Sequence, residues 1–225
     1  AIACHTEHLA IAREVGDRAG EGSAHGNLGN AHQALGDFGA AIACHTEHLA
    51  IAREVGDRQV EGFAGNNLGL ALEASGDLPA AALALVGALA ARQRVERDLG
   101  LGRDDWWVSL FEQQQKTYML LQRVLLGLGQ PGWALGVAAQ AKARALAYHL
   151  AAGSGEHRGE HDASSGIAPD SSYEDVCGAW WRAVQADARA EGDAGAARIV
   201  EYSFLLGDKL AIWVLSGTGE LLGST

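Results

Sequence analysis

Proline is nearly missing from this 225-residue chain, with 3 in all, and aromatic residues make up only 6% of it. With 48% of residues apolar, both shortages point to a core built mainly from Ala and Leu, which suits closely packed helices. Basic residues are scarce as well: 17 Lys and Arg face 28 Asp and Glu, a formal charge of −11. That balance argues against a nucleic-acid partner, whose phosphates need clustered cations. Arg92, Arg94 and Arg97 cluster, but Glu96 and Asp98 interleave them, as at a solvated helix end. No apolar run exceeds the 14 residues of Leu78 to Ala91, short of the ~20 that cross a bilayer, so no membrane span is expected. Three cysteines, Cys4, Cys44 and Cys177, cannot all pair, which reads as free thiols in a reducing, cytoplasmic setting. The first residues, Ala-Ile-Ala-Cys-His, have neither an initiator Met nor a leader pattern and read as the middle of a repeat.

Repetition is what the sequence has in place of these features. AIACHTEHLAIAREVGDR stands at 1–18 and again, letter for letter, at 41–58, a period of 40 residues. Gly-Asp pairs at Gly16-Asp17, Gly36-Asp37, Gly56-Asp57 and Gly76-Asp77 halve it to 20. A left-handed Gly ending one helix and an Asp opening the next predict helical hairpins. Leu28, Ala31, Ala34 and Leu35 recur at helical spacing in one half, and Ile42, His45, Leu49 and Ala52 in the other. Small residues at Gly26, Gly29 and Ala31 should allow close helix approach, giving a right-handed stack with a concave groove.

The run Asn27-Leu28-Gly29-Asn30-Ala31, then Leu35-Gly36-Asp37-Phe38, Ala41-Ile42 and Leu49-Ala50-Ile51-Ala52 resembles the tetratricopeptide repeat. Its 40-residue variety is found in G-protein signalling modulators and in long proteins ending in a CHAT domain. His25, His32 and His45 depart from it, standing where larger aromatics are common, and Leu70 replaces Asn30 in the second copy. Asn27, Asn30 and Gln33, with Asn66, Asn67 and Glu73 in the next repeat, are the candidate peptide-binding residues. Amides both donate and accept, so they grip an extended backbone without reading its sequence. Local bonding across the hairpin is the competing reading of each. Asn30 is the sharpest candidate, because the resemblance implies peptide-gripping Asn there.

Beyond the repeats, a helix from Leu78-Pro79 to about Leu99 is followed by a long pair: Asp104 to about Leu128, then Trp133 to Ala151. Residues 153–172 read as a linker and Tyr173 to Glu191 as helix; from Ala197 the period becomes two, predicting a β-hairpin split at Gly207-Asp208. Ser109 to Gln113, Thr117-Tyr118, Leu120 to Val124 and Arg144 to Ala147 resemble the helices before CHAT domains. Val200 to Phe204 and Leu210 to Val214 resemble the opening strands of one. The expected class is mainly α: a tetratricopeptide α-solenoid over 1–99, a long helical hairpin over 100–152, a linker over 153–172, and the start of an α/β CHAT-like domain over 173–225.

CHAT domains resemble caspase-like peptidases, but no catalytic His or Cys motif lies in these residues. Cys177 with His149, His157 or His161 would make a dyad, yet its place beside Val176 and Trp180 is that of a buried thiol. Cys4, His5 and His8, copied at Cys44, His45 and His48, have zinc-type spacing, but duplication explains the likeness without metal. Glu156-His157 and Glu160-His161 read as a solvated loop. Gly29 and Gly69 are packing positions rather than a phosphate loop, and no cofactor is expected. Each of the pairs Trp106-Trp107 and Trp180-Trp181 should place one ring in the core and leave the other free to face solvent. The expected activity is scaffolding by peptide binding, with no catalysis. The alternatives are the substrate-recruiting arm of a CHAT peptidase and a G-protein modulator scaffold.

Overall fold

Every Gly-Asp pair forms the same joint. Gly16, Gly36, Gly56 and Gly76 have φ of 71°, 76°, 76° and 89°, the left-handed region that a side chain disfavours. The next residue caps the following helix: the Oδ1 atoms of Asp17, Asp37, Asp57 and Asp77 accept from the backbone N–H of Gly20, Ala40, Val60 and Ala80 at 2.8–3.2 Å. The joints delimit α1 (Ile2–Val15), α2 (Arg18–Ala34), α3 (Phe38–Val55), α4 (Arg58–Ser75) and α5 (Leu78–Leu99). In this computed structural model the backbone is described over residues 1–99, 105–154, 167–168, 171–190, 198–205, 209–216 and 220–224. Side chains are described over 1–98, 114–144, 167–168, 171–187, 212–216 and 220–222.

Two compact units divide the chain, Ala1–Asp98 and Leu99–Thr225. In the first, each of α1 to α4 packs on the next along the chain, and α2 also touches α4. Glycines set how closely the helices approach. A Cβ at Gly62, Gly65 or Gly69 of α4 would meet Arg92, Ala88 or Leu85 of α5 at 2.9, 3.1 and 2.7 Å, so these positions admit nothing larger without movement. Leu35 departs from the expected apolar face. It follows the last residue of α2 and is 73% exposed, because the helix has ended before it reaches the packed side. The apolar run at Leu78 lies inside a 22-residue helix, and its stretch Leu78–Asp98 is long and apolar enough to cross a bilayer by length and composition. Its residues Ala81, Ala82, Leu85, Val86 and Leu89 are buried within the protein.

The second unit comprises α6 (Asp105–Gly127), α7 (Pro131–Ser154), α8 (Tyr173–Ala190), β1 (Arg198–Leu205), β2 (Lys209–Leu215) and β3 (Leu221–Ser224). The strands form an antiparallel sheet in the order β1-β2-β3. The expected hairpin is present, with a bulge: Ile199 pairs with Val214 and Glu201 with Trp213, leaving Val200 as the extra residue and breaking the simple alternation. β3 adds a strand beyond that hairpin. α7 begins at Pro131 rather than Trp133, since proline suits a first helical turn. The linker expected over 153–172 falls mostly on residues outside those described.

Tryptophan organises this core. Trp213 is fully buried and its Nε1 donates to the Pro131 carbonyl at 2.9 Å, tying β2 to the start of α7. Trp180 is buried with its ring 6.3 Å from that of Tyr118. Trp181 does not face solvent freely: a Cβ at Gly132 would lie 2.9 Å from its ring, so both members of this pair pack on α7. Trp106 and Trp107 have side chains outside the described residues.

Gly136 is the tightest point of that contact. A Cβ there would lie 2.6 Å from the Trp181 backbone nitrogen and 2.8 Å from the Trp180 carbonyl carbon, atoms that no side-chain rotation moves away. Gly136→Ala is therefore expected to cost about 1–3 kcal/mol, and Gly178→Ala, whose Cβ would have the Arg182 guanidinium at 3.5 Å as its nearest neighbour, far less. Because every Trp lies at or beyond residue 106, tryptophan fluorescence during urea unfolding reads the second unit directly.

Candidate peptide-binding face

α2 buries Glu21, Gly22, Ala24, His25, Gly26, Leu28 and Gly29. Ser23, Asn27, Asn30 and Ala34 form its exposed strip. A step of three residues advances about 300° on a helix, so three such positions wind round it rather than align. Asn27 and Asn30 fall in the solvent strip; Gln33 turns toward the packed side and is half-buried. In α4 the period of 40 places Asn67 at the position of Asn27, Leu70 at that of Asn30, and Glu73 at that of Gln33, all half-buried. Asn66 is equivalent to Gly26, on the edge facing the partner helix. Because α2 and α4 touch, Asn27, Asn30, Asn67 and Leu70 belong to neighbouring strips.

Hydrogen bonding separates the candidates further. Asn66 and Glu73 each have an interaction within the protein, as local bonding predicts. Asn27, Asn30, Gln33 and Asn67 make none among the described residues, which leaves their amide groups available to a ligand.

The unusual histidines and the small glycines are visible in the sequence, but only the structure brings them together. A Cβ at Gly29 would lie 2.5 Å from the His45 ring, and one at Gly26 would lie 2.8 Å from the His48 ring. α3 thus presses two imidazoles onto a glycine surface of α2. His45 is fully buried with neither ring nitrogen hydrogen-bonded, and burial pushes it down to about 4, with the neighbouring His48 adding to the effect. Burial also lowers His48 and His25, and Arg13 opposes a charge on His25, whose Nε2 lies 3.3 Å from the Arg13 guanidinium. In the second hairpin Leu85 and Ala88 stand where His45 and His48 stand, seated on Gly69 and Gly65. The signal available in the sequence was this exchange of His for Leu and Ala at the 40-residue period.

Ion pairs repeat with the same period. Arg13 donates to Glu21 at 2.8 Å and Arg53 to Glu61 at 2.9 Å. Arg18 bridges Glu21 and Glu54; Arg13 and then Arg18 hold the Glu21 carboxylate below its ordinary range, and Arg18 does the same for Glu54. Arg92 is buried, lies 5.4 Å from the centre of the Phe63 ring, and is pushed down to about 10 by desolvation.

Among the described residues, no three His, Cys, Asp or Glu side chains gather to hold a metal ion. Cys4 is exposed, Cys44 partly covered, and none of the three cysteines is in a disulfide. Burial and the nearby Glu174 push Cys177 up to about 12, which leaves almost no thiolate at neutral pH. His149, His157, His161, Glu156 and Glu160 lie outside the residues whose side chains are described.

Residues 1–54 and 21–94 match the tetratricopeptide repeat family. That match agrees with helical hairpins jointed every 20 residues and supports the reading of a tetratricopeptide-repeat protein. No curated protein matches the chain.

Proposed function

We propose, from tetratricopeptide repeats over the first 94 residues, that α2 and α4 hold an extended segment of a partner protein and that the chain works as a scaffold. Such repeats generally mediate protein–protein interaction and are typically not catalytic. The observation that supports the groove is the unspent bonding capacity of Asn27 and Asn30, both exposed and both without a partner among the described residues. Gln33 and Asn67 extend the amide row, and Leu70 supplies an apolar contact where the first repeat has Asn30. Asn66 and Glu73 support the helix pair more than the ligand. We place the protein in the cytosol, a reading supported by three cysteines that remain thiols.

Peptides selected on the whole protein from a displayed library provide the probe. Asn30→Ala should weaken them several-fold, about 1 kcal/mol for a hydrogen bond lost, with no change in melting temperature. A drop in stability with binding unchanged would show that the amide is structural.

A second reading, the recruiting arm of a caspase-like CHAT peptidase, is favoured by the antiparallel β1–β2 hairpin that follows α8. For such a scaffold the sequence resemblance supports a place in cell division or in G-protein signalling. On either reading these residues bind and do not cleave.

A further inference from the structure

Two features of α2 coincide residue by residue. Gly26 and Gly29 are the seats of the His48 and His45 rings, and the residues bonded directly to them, Asn27 and Asn30, are the exposed amides of the candidate face. The backbone that carries the amides is the backbone on which the imidazoles press. In the next hairpin the corresponding seats, Gly65 and Gly69, hold Ala88 and Leu85, which cannot titrate.

The first seat makes no provision for a charge. A protonated imidazole donates from both nitrogens. Neither nitrogen of His45 meets an acceptor among the described residues, and the buried Nδ1 atoms of His48 and His25 meet none either. The charged and titratable groups that act on them are few: His48 on His45; His25 and the α4 cap Asp57 on His48; and, on His25, Arg13 of α1, Arg18 and Glu21 of α2 and Glu47 of α3. Glu21 is already paired with Arg13 and Arg18. With the His45 ring 2.5 Å from where a Cβ of Gly29 would lie, a charge on it reaches solvent only when the helices part.

We propose that the α2–α3 contact is a proton-operated latch on the peptide-binding face: imidazolium at His45 and His48 lifts α2 from α3, Asn27 and Asn30 move with Gly26 and Gly29, and the bound segment is released in acid. The proposal rests on the peptide-binding reading of α2 and α4 and adds its regulation. Protonation acts on one repeat only, so Asn27 and Asn30 leave register with Asn67 and Leu70 while α4 keeps its seats for Leu85 and Ala88. The direction follows from burial, which lowers all three imidazoles from their ordinary 6.5. Above that pH the latch is closed, and opening grows as the pH falls below it.

Cys44, next to His45 and packed on Leu9, Ala24 and Leu28, reports the opening. Its reaction with dithiodipyridine, a thiol reagent that works in acid, is followed on the whole protein at pH 7 and pH 5, each rate taken relative to the urea-unfolded chain so that the reagent's own pH dependence cancels. That ratio should rise by about tenfold or more in the parent and far less in the His45→Leu/His48→Ala double variant, which copies Leu85 and Ala88. A peptide selected on the protein and free of His, Asp and Glu should in parallel bind the parent several-fold more weakly at pH 5 than at pH 7. The double variant should match the parent at pH 7 and lose far less at pH 5. A Cys44 ratio unchanged by acid, or raised equally in the double variant, overturns the latch. Acid opening with peptide affinity unchanged overturns its coupling to the face. Peptide binding indifferent to Asn30→Ala at pH 7 overturns instead the groove reading, and the coupling with it, while the Cys44 ratio still decides whether the α2–α3 contact opens.

Discussion

Ile51→Ala should destabilise the unit of residues 1–98 by about 2–5 kcal/mol, whereas Ile11→Ala should cost a few tenths at most. The two isoleucines sit in identical 18-residue segments, with equal helix propensity and with matching left-handed glycines, Gly16 at 71° and Gly56 at 76°. What differs is cover: 2% of Ile51 is exposed and 53% of Ile11. Truncating Ile51 removes buried methyl groups and leaves a void against Gly22, where a residue without a side chain has nothing with which to refill it. Truncating Ile11 removes groups that water already touches. Far-UV circular dichroism follows helix loss, and tryptophan fluorescence, confined to residues from 106 onward, serves as the internal reference for the other unit. Equal losses at the two sites would mean that burial does not govern this stack.

Acid should loosen the same unit well above the pH at which carboxylates protonate. His45 is held at about 4 against an ordinary 6.5, so the unfolded chain binds a proton that the folded chain refuses. Stability is then complete above about pH 6.5, falls as the pH drops, and levels off below about 4. At roughly 1.4 kcal/mol per pH unit the whole interval amounts to about 3 kcal/mol. His48 and His25 act in the same direction, with Arg13 disfavouring charge on His25, while Glu47 and Glu21 near His25 and Asp57 near His48 oppose these shifts. His45→Leu separates the imidazole from the acids Glu21 and Glu54, whose pairing with arginine is lost only at lower pH. Leucine fits the site on the protein's own precedent, since Leu85 sits over Gly69 in the next hairpin. The variant should lose clearly less melting temperature between pH 7 and pH 5 than the parent does, with His48 and His25 supplying the loss that remains. A parent with a flat profile over that range would contradict the assignment.

How far the fold could be read in advance depended on the distance over which its cause acts. The Gly-Asp joints were legible because a left-handed glycine and an aspartate cap act within four residues. The seats of His45 and His48 on α2 were not, because which side chain meets which glycine is decided across two helices 16 to 22 residues apart. Composition had marked Gly26 and Gly29 as small and His45 as unusual; only packing joins them. The bulge at Val200 and the four-residue β3 escaped a period-two reading because neither is long enough to show a period. In the candidate face, residue type selected six positions, and exposure with internal bonding divides them into Asn27, Asn30, Gln33 and Asn67 on one side and Asn66 and Glu73 on the other.

The joints also make the stack divisible. Excising residues 17–56 brings Gly16 directly before Asp57 and restores a Gly-Asp pair with nothing added or lost at the seam. The helix now preceding α4 is α1, whose residues duplicate α3 from Ile42 to Val55, so over that stretch the side chains offered to α4 are the same. Recombination between the two identical segments therefore shortens or lengthens the stack by whole periods without creating a foreign junction. Natural variation in this protein should then appear as changes in repeat number before it appears as change within the repeated segment.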